Sequence, residues 1–224
     1  MSRAVTIDRA GPAYRGHAAY SRGFLLAYDA LVYGVNSPLA WRCPLGRLVA
    51  LYDECASARH IDVGVATGIL LDRCTFPSAR PSLTLMDLNP NSLAQAGRRL
   101  RRYAPRACQA SVLDPWPLPP GSAGSVAMCN LIHCLPGSIP DKAVAFRHAR
   151  TALAPGGVLF GSTILGHGPR HTWLARRELA AANLRGFMSN TRDGLEDLDR
   201  ALGREFCQHE ITIAGSVALF RARR

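Results

Sequence analysis

The chain has 224 residues, 48% of them hydrophobic and 19% charged, and its 27 Lys plus Arg against 16 Asp plus Glu leave a formal charge of +11. That length and balance predict one compact soluble domain whose core needs no disulfide or metal staple. Seven scattered cysteines that never form CxxC argue against a zinc ribbon and a secreted disulfide scaffold, and no run approaches the roughly 20 apolar residues of a membrane span, so a reducing, cytoplasmic setting is expected.

A polar arm of some twenty residues opens the chain. A helix is predicted from Ser21 to about Tyr33, then a turn-rich link, GVNSPLAWRCP, and a second helix from Pro44 to about Ala58. Residues 1–58 are therefore read as an arm and helical lid, and 59–224 as the main domain. From Ile61 onward, short β-rich runs alternate with helices, the pattern of a parallel sheet built from βαβ units. Strands are expected at 60–64, 82–87, 107–111, 125–130 and 157–165.

Asn89 before Pro90 is a good helix start, because the Asn side chain caps free amides and proline loses nothing in the first turn. The helix it opens carries Leu93, Ala96 and Leu100 on one face and arginines on the other, so Arg98 to Arg102 read as a solvated face. A further helix follows Pro140, with Ala145, Phe146, Ala149 and Leu153 inward, stopping before Pro155-Gly156-Gly157. Helices at about 171–185 and 193–203 precede two runs joined by Ala214-Gly215, a hairpin signal. A seven-stranded, mostly parallel α/β sheet with an antiparallel C-terminal hairpin accommodates all of these.

Chemistry concentrates in HIDVGVATGILLD, residues 60–72, where an apolar strand runs into Asp62, Gly64 and Gly68 and then into a helix. Glycine there lets backbone approach a ligand, and the helix start offers unpaired amides. Asp87 ends the second strand about 20 residues further on, where a carboxylate accepts ribose hydroxyls. Asp114, in SVLDPWPLP, stands just past the third strand, within expected reach of an adenine amino group.

With these three positions, the stretch from about Ile61 to Ile164 resembles the class I S-adenosylmethionine-dependent methyltransferases. The resemblance implies a doubly wound, Rossmann-like fold and S-adenosylmethionine as cofactor. It assigns the aminoacyl end to the DVGVATG turn through Asp62, Gly64, Ala66 and Gly68, and the ribose to Asp87. Leu88 and Asn89 would lie beside the adenine, Asp114 at its amino group, and Asn130 over the methionine portion. Ala66 departs from the usual glycine, which is tolerable where φ stays negative. A dinucleotide-dependent oxidoreductase would require GxGxxG, whereas this turn reads GVATG. The segments YGVNSPLAWRCP and TILG are similar to a group of bacterial and fungal methyltransferases.

The acceptor is expected to be a small molecule. The fourth strand ends in NLIH without the Pro-Pro-aromatic signature of base methylation, and apart from two short clusters the basic residues are scattered, so nucleic acid is not the expected partner. His133, just outside that strand, is the candidate acceptor-facing base or orienter, its bland alternative being a turn cap. Cys134 reads as a buried thiol. His167 and His171 lie on the expected rim, and Tyr28, Tyr33, Trp41 and Arg42 are candidates to line the substrate pocket from the lid. Nothing calls for a metal, since Asp141 alone makes no acid cluster. Two other readings stay open: a non-catalytic cofactor-binding or scaffolding protein on this fold, and an RNA methyltransferase.

Overall fold

The computed structural model describes residues 21–224, so the expected polar arm lies outside the described residues. Seven strands form one sheet: β1 (Arg59–Val63), β2 (Ser82–Asp87), β3 (Arg106–Gln109), β4 (Ala123–Cys129), β5 (Leu153–Ile164), β6 (Gln208–Ala214) and β7 (Val217–Arg223). Their order is β3-β2-β1-β4-β5-β7-β6. β1 to β5 run parallel, while β7 is antiparallel to both β5 and β6. This is the doubly wound α/β arrangement that the alternating pattern predicts. The hairpin turn falls at Gly215-Ser216, because Ala214 still pairs with Val217, and Gly215 supplies the positive φ that a two-residue turn requires.

Both faces of the sheet are covered. Alternate residues of β4 show why: Ala127 and Cys129 pack into one core cluster, and Val126 and Met128 into the other. The first cluster gathers α1 (Arg22–Tyr28), a following π-helical segment (Asp29–Ala40), α2 (Leu45–Cys55), α3 (Ile69–Arg73), α4 (Pro90–Arg99) and α7 (Trp173–Leu184). The second takes α5 (Ile139–Lys142), α6 (Val144–Ala152) and α8 (Leu195–Glu205).

Two expectations need correction. The helix predicted to stop near Tyr33 continues to Ala40 in wider turns, with the Trp41 amide reaching back to the Asn36 carbonyl. Widening keeps Tyr28, Tyr33, Ser37 and Trp41, spaced four or five apart, buried on one side, and that burial overrides the local weakness of Gly34 and Pro38. Leu153 belongs to β5, not to the preceding helix. It pairs with Ala123, and Pro155-Gly156-Gly157 then bulge out before Val158 resumes the ladder against Ser125.

Sequence-adjacent elements leave β1 and β4 on opposite sides, which opens a crevice beyond their carboxyl ends, the usual ligand position in such sheets.

Candidate active site

That crevice is a cleft of about 100 Å³, walled by the ends of β1, β2 and β4 and covered by Tyr28 and Tyr33. Its floor is the turn after β1. Gly64, Ala66 and Gly68 all hold positive φ, 74°, 47° and 74°. The condition of negative φ, under which a methyl at Ala66 is tolerable, is not met, and the methyl is kept at a cost of about 1–2 kcal/mol. At Gly64 a methyl would also meet Leu131 Cδ1 at 2.8 Å.

Asp87 stands at the tip of β2 with its carboxylate turned into the turn. Oδ1 accepts the Asn89 amide at 2.8 Å and Oδ2 faces the Ala66 amide at 3.4 Å. Burial pushes its pKa up to about 6, with the charge of Asp62 adding and the Asn89, Ala66 and Leu88 amides opposing. Leu88 lines the cleft beside it, and Ser111, Val112 and Leu113 close the far end.

Asp62 lies deeper, in a smaller pocket under the turn with Gly64, Gly68, Tyr33 and Tyr52. Tyr52 donates its hydroxyl to Asp62 Oδ2 at 2.6 Å. Burial raises the Tyr52 phenol, as it does that of Tyr33, so both stay protonated donors. Asn130 has φ 54°, and its side-chain oxygen accepts the Ser162 hydroxyl at 3.0 Å. Tyr52 and Ser162 were not singled out in the sequence, where they look like ordinary residues of an amphipathic helix and a buried strand.

A second cleft, of about 500 Å³, opens next to the first and shares Tyr28, Asn130 and Cys134 with it. Its walls are largely apolar, including Val32, Trp41, Ile164, Phe187 and Met188, with Asn36, Glu178 and His133 as polar points. Cys134 is only half-buried and lines both clefts, so the expected buried thiol is corrected. His133 is buried against β5, its Nδ1 accepting the Ile164 amide at 3.2 Å.

Several candidates stand elsewhere. Asp114 is exposed and off the cleft wall, because the chain after β3 turns Val112 and Leu113 inward instead. Asn89 is buried as the cap of α4, bonding the Asn91 amide, and does not line the cleft. Arg42 is exposed at φ 54°, beside Gly215. His171 spends both ring nitrogens on Ser216 and the Gly166 carbonyl, while His167 is exposed and faces the Arg192 carbonyl. Neither histidine lines a cleft.

The residues present fit an adenosyl sulfonium compound. A desolvated carboxylate suits paired hydroxyls, an apolar slot at Leu88, Val112 and Leu113 suits a base, and a left-handed turn lets backbone come close to the remainder. Among the described residues no cluster could hold a metal, and no helix is long and apolar enough to cross a membrane.

Comparison with known proteins agrees. A family profile described as a methyltransferase domain matches residues 61–159. The chain is 42% identical over 207 residues to demethylluteothin O-methyltransferase of Streptomyces thioluteus, covering 92% of this chain and 90% of that one. It is 35% identical over 213 residues to a physcion biosynthesis cluster O-methyltransferase of Aspergillus chevalieri, covering 94% and 96%. Its fold is similar to that of phosphoethanolamine N-methyltransferase 2 of Haemonchus contortus in complex with S-adenosyl-L-methionine, with a TM-score of 0.68 at 14% identity over 98% of this chain and 60% of that one. It is also similar to the N-methyltransferase NodS of Bradyrhizobium japonicum in complex with S-adenosyl-L-homocysteine, with a TM-score of 0.55 at 17% identity over 80% and 83%. Identity of this extent along nearly the whole chain, on this sheet and around this cleft, means that the protein belongs to the class I S-adenosylmethionine-dependent methyltransferases of small-molecule type.

Proposed function

We propose that this enzyme methylates a hydroxyl oxygen of an apolar small molecule held in the second cleft, in specialised metabolism. The observation that carries the reading is the seam at Tyr28, Asn130 and Cys134, where the two clefts meet. An acceptor bound on one side of that seam abuts whatever is bound on the other. The names of the relatives, both O-methyltransferases, support oxygen as the acceptor atom.

On this reading Asp87 takes the ribose hydroxyls, Leu88, Val112 and Leu113 flank the adenine, and the turn from Gly64 to Gly68 with Asp62 beneath it holds the aminoacyl end. S-adenosylmethionine, when bound, supplies an electrophilic methyl group on a sulfonium. The protein's share is to exclude water and hold the acceptor in line, which is worth on the order of 7–11 kcal/mol. Tyr28 and Tyr33 do so from above, which supports treating the described part of the expected lid, 21–58, as a cover on the domain from 59 onward. A cytoplasmic setting is supported by the seven free cysteines. A nucleic-acid substrate is disfavoured, since Arg99 and Arg102 are engaged with Asp29 and Asp72.

The test is to incubate the purified enzyme with S-adenosylmethionine and a panel of phenols, enols, amines and thiols, and to identify products by mass spectrometry. Methyl ethers are expected. Transfer confined to nitrogen or sulfur, or to RNA, would overturn the reading.

A further inference from the structure

We propose that His133 serves the transfer as a fixed hydrogen-bond donor, presenting Nε2–H to the acceptor oxygen, and not as the base that removes the acceptor's proton. This rests on the reading of an oxygen acceptor in the second cleft.

The argument starts at the other ring nitrogen. A backbone amide can only donate, and the Ile164 amide donates to Nδ1 at 3.2 Å, with the Thr163 hydroxyl a further 3.5 Å contact. Nδ1 therefore carries its lone pair, and a neutral ring with that arrangement has its proton on Nε2. His133 lines the second cleft and is followed in the chain by Cys134, which lines both clefts. Among the described residues no partner bonds Nε2, which leaves it to the cleft's occupant.

The surroundings hold the ring in that state. Lys142 of α5, paired with Asp193 at 2.5 Å, presents positive charge from behind, and Tyr28, Cys43, Cys134 and Glu178 are the ionisable groups on the cleft wall. Burial first, and Lys142 second, push the histidine pKa down to about 3, so it takes up no second proton near neutrality. Base action at Nε2 would require the proton to shift to Nδ1, where it would face the Ile164 N–H and leave a buried amide without an acceptor.

The acceptor consequently loses its proton to solvent before transfer. The lone pair of the resulting oxyanion forms the bond to the methyl carbon as the electrons of the carbon–sulfur bond return to sulfur, and His133 keeps its own proton throughout. The rate then rises with pH through the acceptor's own ionisation, with no histidine limb.

Two substitutions separate donor from base. His133→Asn retains an acceptor for the Ile164 amide but withdraws the donor, whereas His133→Gln places an amide N–H near the position of Nε2 and cannot act as a base. S-adenosylhomocysteine binding reports that each variant is folded. In enzyme loaded with S-adenosylhomocysteine, 4-nitrophenolate serves as the oxyanion probe, read by its visible absorbance. His133→Asn is expected to weaken its binding roughly 10- to 100-fold, and His133→Gln to recover most of that loss. Imidazole 15N shifts of the wild type, with His133→Asn for assignment, are expected to report the Nε2–H tautomer between about pH 6 and 9. An Nδ1–H tautomer, a Gln variant as impaired as Asn, or no binding of 4-nitrophenolate by the wild type would overturn the proposal. If the oxygen-acceptor reading alone is wrong, the acceptor panel yields no methyl ether while the 15N shifts still report Nε2–H.

Discussion

Asp87 can accept two ribose hydroxyls only while it is ionised, and burial has brought its pKa up to about 6. The sign follows directly: a cofactor that needs the carboxylate binds at full strength above that value and loses about tenfold per pH unit below it. Calorimetric titration with S-adenosylhomocysteine should therefore show affinity falling between pH 7 and pH 5. Asp87→Asn should bind weakly with a flat profile, and an equally steep decline in that variant would remove Asp87 from the ribose site. Gly64 offers a second check. Alanine there would combine φ 74° with a methyl 2.8 Å from Leu131, so Gly64→Ala is expected to cost about 1–3 kcal/mol and to weaken cofactor binding. A melting temperature and affinity equal to wild type would contradict the close approach.

At the scale of elements, the segment that carries Tyr28 and Tyr33 is fastened to the turn after β1 by side chains that the sequence pattern treats as surface. Arg99, on the face of α4 expected to be solvated, pairs with Asp29 at 2.6 Å and donates to the Thr67 carbonyl at 3.0 Å, while the Thr67 hydroxyl donates to Asp29 at 2.5 Å. Three segments, the start of the π-helical stretch, the turn after β1 and the end of α4, are thereby clasped together. Both partners of the ion pair are about one-quarter exposed, so the pair is worth on the order of 1 kcal/mol. Arg99→Ala is expected to speed release of S-adenosylhomocysteine about fivefold, measured by stopped flow, with little change in helix content. An unaltered release rate would mean that the clasp does not gate the cleft. Arg102, by contrast, makes its ion pair with Asp72 at the surface and anchors only α3.

Across the whole molecule, the wall of the second cleft depends on a buried charge pair whose partners lie 51 positions apart in the chain. Lys142 Nζ meets Asp193 Oδ2 at 2.5 Å and the Ser189 carbonyl at 2.6 Å, and the Ser189 amide bonds the His133 carbonyl. The pair thus ties α5 to the loop carrying Phe187 and Met188. Removing one buried charge strands the other, so Lys142→Met should cost about 3–5 kcal/mol. Adding Asp193→Asn removes both charges and should recover most of the loss. Denaturant unfolding of the single and double variants measures this, and a double variant no more stable than Lys142→Met would refute it.

What the sequence determined by itself was local. Apolar runs and turn residues specify β1, β2, β4 and the hairpin because each acts within a few neighbours, and the Gly-rich turn and Asp87 fall at strand ends for the same reason. The tertiary structure alone decided which side chains share a space. His133 lies in the second cleft while His171 is spent on Ser216 and Gly166, and Asp114 turns outward where Leu113 turns in. Likewise Arg99 meets Asp29 across 70 positions of chain. Such meetings depend on the packing of segments remote in sequence, and burial of the face carrying Tyr28, Tyr33 and Trp41 even rewinds a helix that its own residues would have ended.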